Sequence, residues 1–230
     1  DNQRILYQYC LRRIPVKKIV SIALATAALV AFGSCTSKPS AKAQLPSDEA
    51  PSWTIPAGEV IVLDNFEEGN FWVAVGDSWD QWGAHNWSID ADLTEEWKSE
   101  GDYAAVWEWD PNLGPPSDQA TFFCDQLVET DWTGIIAVVI DVNNVGDAPF
   151  TMQFNTQTSD AWQWTQTPST TIPPGVHTVV FDLTAGLQDG SSADIDAIPS
   201  IDVMKRAMFT VTSSQGPTKT LVDNIRLVKE

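Results

Sequence analysis

Eleven tryptophans against three tyrosines are the residues of this chain best suited to chemistry, and they fall into two groups. Trp79, Trp82, Trp87 and Trp97 lie in a stretch rich in Gly, Ser, Asp, Asn and Gln, and Trp162 and Trp164 lie in Asp160-Ala-Trp-Gln-Trp-Thr-Gln. Indoles set among amides and carboxylates suit a sugar. The apolar C–H face of a pyranose stacks on the ring for about 1 kcal/mol beyond area burial, and its hydroxyl rim pairs with Asn, Gln, Asp and Glu. The expected platform is Trp79, Trp82, Trp87, Trp162 and Trp164, with Gln81, Asn86, Gln163 and Asp160 as hydrogen-bonding partners. The plainer alternative is that these loops pack on their own tryptophans. Trp72, Trp107, Trp109 and Trp132 stand in or beside strand-like runs, where core packing is expected; Trp53 and Trp97 carry no assignment.

Catalytic patterns are sparse. His85 and His177 are the only histidines, and the sequence holds no Gly-x-Ser-x-Gly, His-Glu-x-x-His or phosphate loop. Glu67-Glu68 and Glu95-Glu96 are adjacent pairs, unlike the alternating acids that share one face of a strand in jelly-roll glucanases. Cys124, in Thr-Phe-Phe-Cys-Asp, reads as a buried thiol and His177 as structural.

Charge divides the chain. Of 13 basic and 31 acidic residues, five bases and one acid precede Cys35, leaving 8 against 30, a net of −22, in the remainder. Such a body repels nucleic acid and anionic lipid and leaves neutral polymers as partners. Arg12, Arg13, Lys17 and Lys18 lead into the apolar run Ile19 to Phe32, followed by Gly33, Ser34 and Cys35. A basic flank, a short apolar run and small residues at its exit read as an export signal; a membrane span needs about 20 apolar residues. Phe-Gly-Ser-Cys resembles a bacterial lipobox, which implies acylation at Cys35 and lipid anchoring to a bacterial outer membrane or cell surface, with plain secretion as the alternative. Membrane contact is then expected through the anchor alone. The expected organisation is a leader over 1–35, a Pro-, Ser- and Ala-rich tether over 36–58 and one domain over 59–230.

The domain reads as all-β. From Val60 onward, short runs of β-branched and aromatic residues alternate with turn chemistry such as Asn143-Asn144-Val145-Gly146-Asp147 and Pro173-Pro174-Gly175. Ten or so strands fit a two-sheet β-sandwich, with Ile135 to Ile140 as a central strand covered on both faces and a helical turn over Asp202 to Ala207. The order of motifs then resembles a known group. The domain opens with Asp64-Asn-Phe-Glu67-Glu-Gly69-Asn-Phe-Trp72, continues through Ser99-Glu-Gly101-Asp-Tyr and Asp131-Trp132-Thr-Gly134, and closes with Leu221-Val-Asp223-Asn224-Ile. This resembles the galactose-binding-like jelly-roll sandwiches that serve as carbohydrate-binding modules of bacterial polysaccharide hydrolases, including those preceding agarase and glucanase catalytic domains.

The resemblance implies non-catalytic binding of a polysaccharide or oligosaccharide, with a separate polysaccharide-degrading enzyme as a further partner. It also implies a structural calcium held by Glu67 and Asp223, with Asp64 as a helper and backbone carbonyls of the Gly101-Asp102 turn; solvated surface acids are the alternative. Two other functions stay open at this point: an envelope or appendage-sheath assembly protein, and a jelly-roll glycoside hydrolase or lyase.

Overall fold

The computed structural model describes residues 53–69, 71–76, 89–110, 119–213 and 218–230. They form strands joined by turns, as the alternating pattern requires. The first sheet has six strands in the order β10 (Gly175–Asp182), β6 (Ile135–Asn144), β14 (Thr218–Lys229), β4 (Ala104–Trp109) and β3 (Ile89–Thr94), with β1 (Glu59–Asp64) also on β14. The second has eight: β12 (Asp194–Ile195), β11 (Leu187–Asp189), β8 (Gln163–Gln166), β7 (Phe150–Thr158), β13 (Met204–Thr212), β5 (Gln119–Cys124) and β2 (Val73–Gly76), with β9 (Thr170–Ile172) on β7. Every pairing is antiparallel.

Two-residue periodicity sends one face of each sheet into a shared core. Val138, Ile140 and Val142 of β6 and Val222, Ile225 and Leu227 of β14 meet Phe150, Met152 and Phe154 of β7 and Ala207, Phe209 and Val211 of β13. Trp72, Trp107, Trp109 and Trp132 are buried there, as expected from their strand-like settings. The Trp107 ring stacks on Phe122 at 4.4 Å between centroids and 4° between planes, an arrangement that contributes about 0.5–1.5 kcal/mol beyond burial. β6 is central and covered on both faces: Ala137 and Val139 form a small second cluster with Val228 behind the core.

β14 holds the two ends of the domain together. Its first half, Thr218 to Val222, pairs with β4, and the half from Ile225 to Lys229 pairs with β1. The handover falls at Asp223-Asn224, where Asn224 takes φ 50° and the register shifts. The extra residue returns Ile225 and Leu227 to the core face, as a bulge must. Gly58 is required where β1 begins, because a Cβ there would collide with the Lys229 carbonyl.

Two differences from the sequence reading concern local structure. Residues Met204 to Ala207, expected in a helical turn, belong to strand β13, where pairing with β7 on one side and β5 on the other overrides a weak local preference. The turn itself lies just before, closed by Val203 N–H donating to Ser200 O at 2.9 Å. Within the stretch read as tether, Trp53 packs edge-on to His177 with centroids 5.6 Å apart.

Candidate functional site

In β13, β7 and β5 the residues that alternate with the core positions point to the other face of the larger sheet, and they are mostly amides and hydroxyls. Register aligns Gln188, Gln166, Asn155, Met208 and Phe123 in one row across five strands. Trp164, Gln157 and Arg206 form a second row, and Gln153, Thr210 and Thr121 a third. These side chains hold one another. Gln166 Nε2 donates to Gln188 Oε1 at 3.3 Å, Trp164 Nε1 to Gln166 Oε1 at 3.1 Å, and Asn155 Nδ2 to Thr210 Oγ1 at 2.8 Å. Asn155 Oδ1 and Gln157 Oε1 are buried and have no hydrogen-bond partner, and Asn155 and Met208 are fully covered, so the half-buried amides Gln153, Gln157, Gln166 and Gln188 are what this face presents.

At the end of the second row the β7–β8 turn carries Asp160 and Trp162, and Gln163 opens β8. Trp162 N–H donates to Ser159 O at 3.2 Å, Trp162 takes φ 52°, and the residue is 48% exposed. Gln163 Oε1 accepts from the hydroxyls of Ser159 and Ser200, both at 3.2 Å. Asp160 pairs with Lys205 at 2.9 Å, and Asp125 takes both Nε and Nη2 of Arg206. Arg206, which lies over the Trp162 ring, and Lys205 are therefore each matched by a carboxylate. The structure thus brings Asp160, Trp162, Gln163 and Trp164 to one end of a polar sheet face. Trp79, Gln81, Trp82, Asn86 and Trp87 lie outside the described residues, as does Cys35.

The expected calcium residues meet hydrogen-bond donors. Asp223, fully buried, accepts from Ser99 N–H at 2.8 Å and Glu100 N–H at 3.0 Å on Oδ2, and from Asn224 N–H at 2.7 Å on Oδ1. The Ser99 hydroxyl lies 3.0 Å from Asp223 and 2.9 Å from Asp141, donating to one at a time. Asp141, opposite Asp223 on β6, is paired to Arg226 Nη2 at 2.8 Å and accepts from Thr178 Oγ1 at 2.7 Å.

Glu67 Oε1 accepts from Asp102 N–H at 2.7 Å and Tyr103 N–H at 2.9 Å, with Gly101 at φ +62° beneath it because any Cβ would strike the Glu67 carboxylate. Asp64 holds Phe66 N–H at 2.8 Å and Trp72 Nε1 at 2.9 Å, and burial pushes its carboxyl above the ordinary value. Calcium needs six to eight oxygen ligands converging on one point. Here the turn presents N–H groups to Glu67, and among the described residues no three acidic, His or Cys side chains form a metal-holding group. This donor set does not fit a cation.

Cys124 and His177 are both held by their surroundings. Cys124 is 5% exposed and burial pushes its thiol up to about 11; His177 Nε2 lies 3.1 Å from Pro173 O, tying down its own turn.

No family model and no curated protein matches the chain. Solved structures do. A family 11 carbohydrate-binding module from Clostridium thermocellum, in complex with a β-1,3-1,4-mixed-linked tetrasaccharide, superposes with a TM-score of 0.54 at 13% identity over 76% of this chain and 98% of that one. The family 11 module of the cellulosomal cellulase Lic26A-Cel5E of the same organism gives 0.53 at 12%, covering 76% and 97%. An exo-β-agarase gives 0.51 at 12% over 74% of this chain and 25% of its own. The chain shares the two-sheet β-sandwich fold of these structures. At these identities the likeness is one of architecture, and this chain's own residues must carry the argument about ligand.

The amide rows and Arg206 are the functional candidates that the sequence reading missed. The signal for the rows was present: Phe150-Thr-Met-Gln153-Phe-Asn155-Thr-Gln157 alternates apolar and amide residues with period two, which marks a strand with one polar face. Arg206 gave no such signal, because its partner Asp125 is far away in sequence.

Proposed function

We propose that the chain binds a neutral polysaccharide or oligosaccharide, without chemistry, on the outer face of its larger sheet. The observation that carries the reading is the joining of the half-buried amides Gln153, Gln157, Gln166 and Gln188 to the exposed Trp162 and half-buried Trp164 at one end of that face, with Arg206 and Lys205 each already paired to a carboxylate. Indole faces take the C–H side of a sugar ring, and the amides take its hydroxyls. A face with matched charges inside a strongly acidic body favours a ligand with no charge. The shared fold with modules that include one bound to a tetrasaccharide supports the same reading. The absence of a catalytic constellation in the sequence supports a role in binding alone.

Affinity electrophoresis against soluble glucans, xylans, mannans and galactans tests the proposal. Retention by at least one polymer, reduced by Trp162→Ala and Trp164→Ala without a matching loss of thermal stability, is the expected result. We further propose acylation at Cys35 as the means of attachment to a bacterial surface, where the bound polymer would be held near a separate degrading enzyme. Metabolic labelling with a tagged fatty acid, lost in Cys35→Ala, is the corresponding test.

A further inference from the structure

We propose that Arg206, clamped by Asp125, is the positioning residue that holds the Trp162 ring ready for a sugar; this rests on the binding role proposed above. Trp162 stands in a turn with 48% of its surface exposed, a setting that by itself leaves an indole free to change rotamer. The Arg206 guanidinium limits that freedom. Its Cζ lies 5.2 Å from the Trp162 ring centroid and 4.1 Å from that of Phe123, so the plane is shared between two aromatic faces.

What fixes the guanidinium is equally clear. The register of β13 on β5 sets Ala207 against Cys124, which brings Arg206 opposite Asp125, and both carboxylate oxygens accept from it. The Arg206 side chain is only 8% exposed and that of Asp125 43%. A guanidinium is suited to this post because its planar fork meets a carboxylate with two bonds while its faces stack on rings; a lysine ammonium does neither. The order of constraint runs from Asp125 to Arg206 to Trp162. One face of the indole is thereby backed by the arginine, and ligand binding forgoes the cost of ordering the ring.

A purely structural pair joining β5 to β13 would show many of the same contacts, so the test must separate the two roles. Arg206→Lys, Asp125→Asn and Trp162→Ala are made singly, and Arg206→Lys is also combined with Trp162→Ala. Thermal unfolding confirms that each is folded. The protein is labelled with 5-fluorotryptophan, and Trp162→Phe assigns the Trp162 fluorine resonance.

Arg206→Lys and Asp125→Asn are expected to move that resonance toward the solvent-exposed position. They are also expected to weaken binding of whichever polysaccharide retains the wild type by about fivefold, the factor that ordering one side chain is worth. In the Trp162→Ala background Arg206→Lys should add nothing, because its effect passes through the ring. An unchanged Trp162 resonance, or an Arg206→Lys effect of equal size in both backgrounds, overturns the assignment. If no polysaccharide retains the wild type, the binding role falls, while the fluorine resonance still decides whether Arg206 orders the ring.

Discussion

Replacing Asp223 by Ala examines the junction where β14 passes from β4 to β1. The carboxylate is fully buried and accepts from the backbone N–H groups of Ser99, Glu100 and Asn224. Alanine leaves all three without that acceptor, and each unsatisfied buried donor costs about 1–3 kcal/mol. Ser99 and Glu100 lie on an exposed loop and can recover part of this from water, so the net loss should be about 4 kcal/mol, or roughly 8–16 °C in Tm for a domain of this size. Asn keeps one carbonyl acceptor but turns an N–H₂ toward other donors, and should lose about 2–3 kcal/mol. The assay is thermal unfolding by circular dichroism with calcium or chelator added. Because the oxygens are engaged by N–H groups, chelator should not move the wild-type Tm. A wild-type Tm that falls with chelator, recovers with calcium and loses that response in Asp223→Ala would refute the reasoning and restore the ion.

Three further outcomes follow from the same geometry. Cys124, buried and with its thiol pushed to about 11, should resist iodoacetamide at pH 8 in the folded protein and react in urea, as read by mass spectrometry of its peptide. In a carboxyl NMR titration Asp189, held low by the Ser191 hydroxyl and the N–H groups of Ala193 and Ser191, should show a midpoint below the ordinary aspartate value, and Asp64, held high by burial, one above it. The stabilising contribution of Asp189 is therefore present above the unfolded-state value and lost as pH falls through its lowered midpoint, whereas that of Asp64 is present below the unfolded-state value and lost as pH rises through its raised one. Trp162→Ala should lower glycan affinity by roughly fivefold or more, the worth of one aromatic contact, while leaving Tm within about 2 °C because the ring is half exposed.

The residues that read most clearly in sequence are those whose environment is set by local periodicity. Trp107 and Trp109 share a parity on β4 and both enter the core, and the unbroken run Ile135 to Ile140 is the strand covered on both faces. The closing Asp223-Asn224 pair was legible as important, and the resemblance implied an ion between Asp223 and Glu67. The structure adds that the 99–103 turn aims N–H groups at both carboxylates, and the direction of a peptide plane leaves no trace in residue type. Met204 to Ala207 looked helical because local preference is weak there, and two long-range ladders settle it as strand. Asp160, Trp162, Gln163 and Trp164 were legible from composition as a cluster of indoles, amide and carboxylate suited to a sugar. Their extension into Gln157, Gln166 and Asn155 depends on which strands lie side by side, which a single sequence does not state.

The central claim is that the outer face of the larger sheet is a glycan-binding surface. It is tested most directly by chemical-shift mapping of isotopically labelled protein during titration with each neutral polysaccharide that retains it in a gel. The account predicts that the perturbed amides and side chains cluster on Trp162, Trp164, Gln157, Gln166 and Gln188 and spare the outer face of the smaller sheet around Thr178 and Arg226. Perturbation centred on that smaller sheet, or no perturbation by any glucan, xylan, mannan or galactan, would contradict it.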